Sequence, residues 1–192
     1  MSAEEKKKLR ALLKEKRPSS FERELLSRKI EERLFSLEEF KNASTVFAFF
    51  SDESEPDTKE LFKKALSKKK TVALPRSNAD NSLSFHCIKS EDDLEPGKFK
   101  GILEPKNTLP TALNSEEALC LVPAVAFGKN GSRLGRGKGF YDRFLSSFRG
   151  FSVGLCFESR LFEELPEDEF DRRVSAIITE NQTIYIKDAE ER

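Results

Sequence analysis

The sequence predicts an α/β fold: a three-layer α/β/α sandwich around a mostly parallel open sheet, Rossmann-like, with residues 1–192 forming a single domain. Three observations carry this. Continuous apolar runs at residues 45–50, 71–75, 118–123 and 151–157 are short and rich in β-branched and aromatic side chains, as buried parallel strands are. Helical periodicities stand before and between these runs. The order strand 45–50, helix 59–67, strand 71–75 calls for a right-handed crossover between parallel strands.

Taken in order, residues 3–17 read as a helix with Leu9, Leu12 and Leu13 inward and Lys6, Lys7, Lys8, Arg10, Lys14 and Lys16 on the other face. Pro18 ends it. Ser19 and Glu22 have capping-box spacing, opening a second helix to about Phe40 with Leu25, Leu26, Ile30, Leu34, Phe35 and Leu37 inward. After the strand at 45–50 comes the acidic loop Ser-Asp-Glu-Ser-Glu-Pro-Asp-Thr at 51–58, where open α/β sheets place ligands. Asp57 or Thr58 caps the helix that follows. Residues 82–88 alternate as a strand, and 89–110, rich in Asp, Glu, Pro and Gly, read as an irregular loop. The helix after the glycine-rich stretch is expected to reach about Phe148, a short helix is expected at 159–165, and short strands at 174–179 and 183–186.

Composition removes several function classes. Charged residues make up 35% of the chain but balance, 34 against 34, so no global basic field draws it to nucleic acid. Three cysteines, Cys87, Cys120 and Cys156, sit in apolar runs without a CxxC pair, which fits reduced thiols of a cytoplasmic protein. One histidine, His86, is too few for a histidine zinc site. The charged N-terminus lacks the apolar core of a signal peptide, and no apolar run reaches membrane-spanning length.

The stretch that carries chemistry is residues 130–143, which holds four of the nine glycines. Gly135, Gly137 and Gly139 alternate with Arg136 and Lys138. Glycine lets backbone N–H groups converge on an anion, and the cations add charge to that concavity. A helix opening at Phe140 would direct its N-terminus at the same place. Asp142, in its first turn, is a candidate Mg²⁺ ligand beside a triphosphate. The pattern is neither Walker A nor GxGxxG. Glycines interleaved with cations also make flexible loops and RNA-binding tracts.

The segment 128–143, Gly-Lys-Asn-Gly-Ser-Arg-Leu-Gly-Arg-Gly-Lys-Gly-Phe-Tyr-Asp-Arg, closely resembles the signature of the 5-formyltetrahydrofolate cyclo-ligases, also called 5,10-methenyltetrahydrofolate synthetases. Lys6 to Arg10, Glu53 to Thr58, Leu74-Pro75-Arg76, Gly101 to Pro105 and Phe170 to Thr179 resemble further family segments in family order. The resemblance implies an ATP-dependent, ring-forming carbon–nitrogen ligase acting on 5-formyltetrahydrofolate, with or without a polyglutamate tail, as a cytoplasmic monomer without nucleic-acid or membrane partners. It implies that ATP is held by Lys6, Arg10, Arg133, Leu134, Gly135, Arg136, Gly137, Lys138, Gly139, Phe140 and Tyr141. Arg136, Lys138 and Tyr141 would serve catalysis, Phe50, Glu55, Phe99 and Tyr141 the folate, and Asp142 and Asp171 a Mg²⁺ ion. Three positions depart from the family pattern: Phe140, Phe170 and Ser175 stand where tyrosine, histidine and aspartate are common. Two other readings use the same loop: a sugar-phosphate isomerase or CoA-transferase relative that binds a phosphoester without hydrolysing ATP, and an RNA-binding module using residues 133–138.

Overall fold

The computed structural model describes residues 3–15, 17–99 and 102–187; Lys16 of the basic face and Gly101 of the Gly-Ile-Leu-Glu-Pro segment lie outside them. In chain order the elements are α1 (Ala3–Glu15), α2 (Ser20–Ser36), α3 (Glu38–Asn42), β1 (Thr45–Phe47), α4 (Lys59–Ser67), β2 (Thr71–Ser77), β3 (Leu83–Ile88), β4 (Leu94–Pro96), β5 (Leu103–Pro105), β6 (Ala118–Val122), β7 (Ala126–Gly128), β8 (Arg133–Leu134), α5 (Phe140–Leu145), β9 (Phe151–Leu155), β10 (Leu161–Phe162), β11 (Ala176–Ile178) and β12 (Thr183–Tyr185).

The main sheet has the strand order β12-β11-β9-β6-β1-β2-β3. Its five central strands are parallel, and only the edges β3 and β12 pair antiparallel. Alternate residues feed opposite faces. Val46, Val72, Leu119, Leu121, Val153 and Ile178 meet α2, α3 and α4 on one side. Phe47, Ala73, Cys120, Val122 and Ile177 meet Phe127 and the α5 side chains Tyr141 and Phe144 on the other. The mostly parallel sheet covered on both faces is as expected. The Rossmann likeness does not extend to every crossover, because β9 reaches β11 through a short 3₁₀ turn and β10 with no α-helix.

Local departures have local causes. Ser19 does form the reciprocal capping box with Glu22, but α2 stops at Ser36 because Leu37 is extended (φ −63°, ψ 136°), so Phe40 belongs to a separate short helix. Leu12 and Leu25 are exposed, not inward. In α1 the inward stripe is buried Lys6, half-buried Leu9 and buried Leu13, at i, i+3, i+7 spacing, so Lys6 does not lie on the outer face with the other cations. Thr58 is the N-cap residue of α4 but its side chain makes no capping bond; Asp57 supplies one, accepting from the Lys59 N–H at 2.9 Å. The segment expected to be an irregular loop at 89–110 contains the hairpin of β4 and β5. The short helix expected at 159–165 is a 3₁₀ turn followed by β10, and α5 ends at Leu145, short of Phe148.

The glycine stretch is preceded by a hairpin, β7 and β8, that joins β10 in a second, three-stranded sheet. Leu13 of α1 buries against Ala126 and Leu134 of this small sheet and against Leu165 beyond it, with Leu9 beside it. Burial of one such leucine is worth about 1.5–3 kcal/mol. This contact fixes where α1 lies. No helix among the described residues is long and apolar enough to cross a membrane.

The small sheet presses onto the large one through Phe127, which is fully buried. It can do so because β9 has glycine at the contact: a Cβ on Gly154 would stand 2.4 Å from the Phe127 ring. Gly154→Ala should therefore force the two sheets apart and cost about 1–3 kcal/mol, read as a fall of several degrees in the thermal midpoint. An unchanged midpoint would show that Phe127 has room to move.

Candidate active site

β1 and β6 are neighbours in the sheet, and the chain leaves them in opposite directions: from β1 toward β2, from β6 toward β9. Open α/β sheets bind ligands at the carboxyl ends of such a strand pair. Two loops meet there. The acidic loop at 51–58 follows β1, and the glycine loop at 135–139 follows the β7–β8 hairpin.

The acidic loop is closed at its base by a clasp. The Thr58 hydroxyl donates to the Phe49 carbonyl at 2.6 Å and accepts from the Ser51 N–H, while the Ser51 hydroxyl accepts from the Thr58 N–H, both at 3.1 Å. Thr58 is fully buried. The loop turns Asp52 and Glu55 inward and leaves Glu53 exposed. Glu55 is buried, and its Oε2 accepts from the Asp52 N–H at 3.0 Å. Burial pushes the Glu55 carboxyl up from its ordinary range, against the opposing pull of Arg136. Burial acts upward on Asp52 too, but hydrogen bonds from Ser54 and the Arg136 cation hold it below its usual value.

Arg136 is the bridge between the loops. Its Nη2 reaches Asp52 Oδ2 at 2.5 Å and Glu55 Oε1 at 3.1 Å. The glycines that follow it permit the turn: Gly137 and Gly139 have φ of +91° and +66°. Gly139 caps α5 in the left-handed conformation. Arg10 from α1 donates to the Gly135 carbonyl at 2.8 Å, so the basic helix lies along the glycine loop. Arg143 holds the loop from the far side, donating to the carbonyls of Lys138 at 2.6 Å and Asn81 at 2.8 Å. Lys138 is exposed and forms no ion pair among the described residues.

Beneath the loop lies Arg133, buried in β8. Its Nη2 meets Asp142 Oδ1 at 2.5 Å, its guanidinium stands 5.9 Å from the Tyr141 ring centre, and its Nε has no partner. The Tyr141 hydroxyl is likewise buried without a partner. Burial raises that phenol well above its ordinary value, so it is held protonated as a donor. Two buried polar groups without partners are costly, and both lie in the residues that line the two loops' meeting point.

The N-terminal helix is also tied to the C-terminal segment. Lys6 is buried and donates to Asp168 and Asp171, each at 2.7 Å. Burial would lower the Lys6 ammonium, but the two carboxylates raise it. Asp142 Oδ1 accepts from the Arg172 N–H at 3.2 Å, which draws Asp171's segment against α5.

A profile of the 5-formyltetrahydrofolate cyclo-ligase family matches residues 2–180. The chain belongs to this family. It is 32% identical over 148 residues to the 5-formyltetrahydrofolate cyclo-ligase of Haemophilus influenzae, covering 74% of this chain and 79% of that one. Its likeness to the Escherichia coli K12 cyclo-ligase is 34% over 143 residues, 71% and 78% of the two chains. The solved structure of Aquifex aeolicus 5,10-methenyltetrahydrofolate synthetase superposes with a TM-score of 0.84 at 35% identity, over 97% of this chain and 95% of that one. The family reaction is the ATP-dependent conversion of 5-formyltetrahydrofolate to 5,10-methenyltetrahydrofolate.

Against the cyclo-ligase expectations, the structure brings Arg10, residues 133–141 and Glu55 to one place. It puts Arg136 on the acidic loop and Lys6 on Asp168 and Asp171. Phe50 packs at 6.3 Å from Phe62 under the Lys59 ammonium, while Phe99 meets Phe140 edge-on at 6.0 Å. No contact joins these two rings among the described residues. Ser175, where aspartate is common, hydrogen-bonds Ser152 across adjacent strands. Phe170 is exposed.

The described residues show no cluster of three or more metal-ligating side chains. Asp142 and Asp171, the two carboxylates expected at a Mg²⁺ ion, are each paired with a cation, Arg133 and Lys6. Their described bonds use Oδ1 of Asp142 and Oδ2 of Asp171, so each has a second oxygen to offer.

Two outcomes are expected. Removal of the Asp142 carboxylate strands the buried Arg133 guanidinium, so Asp142→Ala should lose stability as well as activity. Asp142→Asn keeps an acceptor for Arg133 but not the countercharge, so its thermal midpoint should lie between those of Asp142→Ala and the parent; its turnover should fall roughly 100-fold or more. Near-parent turnover in Asp142→Asn would remove its metal role. The Lys6 latch makes a pH prediction. Asp168 is depressed below 3.8 by Lys6, so its contribution is present above that value and lost as pH falls through the lowered one. Lys6 is raised above 10.5, so its contribution is present below that value and lost only as pH rises further. Amide protection of residues 9–13 should thus persist between these limits and collapse in acid; loss of protection near neutrality would refute the latch.

Proposed function

We propose that this cyclo-ligase holds the ATP triphosphate on the glycine loop and the folate at the acidic loop, across the space that Arg136 spans. That bridge is the observation that carries the reading. It brings a cation flanked by permissive backbone and a buried carboxylate within one hydrogen-bond length of each other. The N–H groups of residues 135–139, with Arg10 and Lys138, form the anion side. Glu55 accepts from the N–H groups of the pterin, and the protonated Tyr141 hydroxyl, which lacks a partner, donates to a developing oxyanion between them.

The reaction needs positioning more than acid–base chemistry. The N5-formyl oxygen attacks the γ-phosphorus and ADP departs. The formyl carbon, now carrying a phosphate as leaving group, is attacked by N10; its C–O bond breaks, phosphate leaves, N10 gives up its proton, and the five-membered ring closes. Arg136 and Lys138 neutralise the transferring phosphoryl group. Mg²⁺, held by Asp142 and Asp171, would supply further charge neutralisation at the phosphates. Lys6 keeps α1, and with it Arg10, over the glycine loop. We place the enzyme in the cytoplasm as a monomer that takes the folate with or without a polyglutamate tail. Cys120 and Cys156, buried thiols whose ionisation burial opposes, agree with a reducing compartment.

The test is the near-ultraviolet absorbance of the methenyl product, with 5-formyltetrahydrofolate present and MgATP added or withheld. A rise that requires MgATP and is abolished in Arg136→Gln supports the reading. A rise undiminished in that variant would refute Arg136 as the cation of the transfer step.

A further inference from the structure

One guanidinium outside both loops organises the acidic one. Arg23 lies in the first turn of α2, with its side chain mostly buried. Its Nε donates to the Glu55 carbonyl at 2.9 Å, and its Nη1 meets Asp57 Oδ2 at 2.8 Å. Its Nη2 donates to the Asp52 carbonyl at 3.0 Å and to the Ser51 hydroxyl at 3.1 Å. Four acceptors from four residues of the loop converge on one planar fork. Ser27, one helical turn on, adds a fifth tie: its hydroxyl accepts from the Asp57 N–H at 2.9 Å and donates to the Arg23 carbonyl at 2.6 Å.

The geometry fixes what this fork does. The two backbone carbonyls it holds belong to Asp52 and Glu55, the residues whose carboxylates face Arg136. With both carbonyls pinned on the α2 side, the Glu55 side chain is turned toward the glycine loop, where the Asp52 N–H steadies it. A lysine could reach some of these acceptors but not the whole fan of them, because its compact ammonium lacks the planar fork.

We propose that Arg23 is a positioning residue for folate binding: it touches no substrate and acts through the main chain of Asp52 and Glu55 to aim the Glu55 carboxylate. This rests on the reading of Glu55 as the folate acceptor. Loss of the fork leaves the loop base intact, since the clasp of Ser51 and Thr58 also bonds to itself, but releases the tip. A small displacement of a binding group costs up to about 100-fold.

The experiment is a double-mutant cycle of Arg23→Gln and Glu55→Gln in the full chain, with KM for 5-formyltetrahydrofolate and for MgATP and kcat measured for each. Arg23→Gln should raise the folate KM by roughly 10- to 100-fold and leave the MgATP KM within about twofold. In the Glu55→Gln background the same change should add less than about threefold, because residues acting as one unit are not additive. Full additivity, an unchanged folate KM in Arg23→Gln, or an equal rise in both KM values would each overturn the proposal. Should Glu55→Gln itself leave the folate KM unchanged, the reading of Glu55 fails and the inference with it; a rise in Glu55→Gln alone sinks only the role of Arg23. Arg23→Lys is the second variant if Arg23→Gln does not fold: it keeps the charge beside Asp57 and should show the same folate-selective rise. A parent-like folate KM in Arg23→Lys would refute the need for the fork.

Discussion

Burying Glu55 is the constraint from which the rest of the site follows. An isolated carboxylate loses several kcal/mol on leaving water, so a buried one needs a cation and hydrogen bonds. The acidic loop has no cation of its own. Arg136 therefore comes from the other side of the sheet's switch point, and its approach brings the glycine loop into contact with the loop after β1. Arg23 supports the same loop from behind, through main-chain carbonyls. Two guanidinium groups from different parts of the sequence thus hold one short segment, and the chain's zero net charge conceals a strongly polarised centre.

The glycine loop depends on the layers beneath it in turn. Its N-terminal anchor is β8, held by pairing with β7 and by Leu134 under α1. Its C-terminal anchor is α5, whose Phe144 sits in the second core cluster against Phe47 and Phe85. The loop between these anchors can stay free of side-chain packing because its ends are fixed by apolar burial. The Lys6 ion pairs add the last tie, between the first helix and the C-terminal segment that also contacts Asp142.

The large sheet was legible because its signal is local: β1, β2, β6 and β9 are unbroken apolar runs, and Ser19 with Glu22 is a reciprocal cap visible at fixed spacing. The small sheet was not, because β7 and β8 are very short strands, and the glycines that follow mask their pairing. β4 and β5 were hidden in the same way by Pro96, Gly97 and Pro105, residues depleted from strands. At the site, the motif positions Arg136, Tyr141 and Asp142 could be read, since alternating glycine and cation is a pattern. Arg23, Asp52 and Asp168 could not. Arg23 is one of many charged residues on α2, and nothing in its neighbours along the chain says that it faces Glu55, 32 positions away. Lys6 carried a weak signal: it shares the stripe of Leu9 and Leu13, an apolar stripe on which a lysine requires an acidic partner.

The protonation states of the buried groups indicate what kind of catalyst this arrangement can be. His86, the one histidine of the chain, has Nδ1 on the Leu109 carbonyl and Nε2 on the Ser84 hydroxyl, within β3 and its neighbour, and so serves the fold. The Tyr141 phenol is held protonated and the Cys120 thiol is raised by complete burial. Neither is tuned toward neutrality, where a general base would have to lie. What the site offers instead is charge: Arg10, Arg133, Arg136 and Lys138 on one side, Asp52 and Asp142 on the other, with Glu55 a buried carboxyl that burial raises and Arg136 opposes. A phosphoryl transfer followed by ring closure between two nitrogens of the same substrate can run on such a field, because its barriers are set by charge neutralisation and alignment. The substrate supplies its own nucleophiles, and the protein's part is to hold them still.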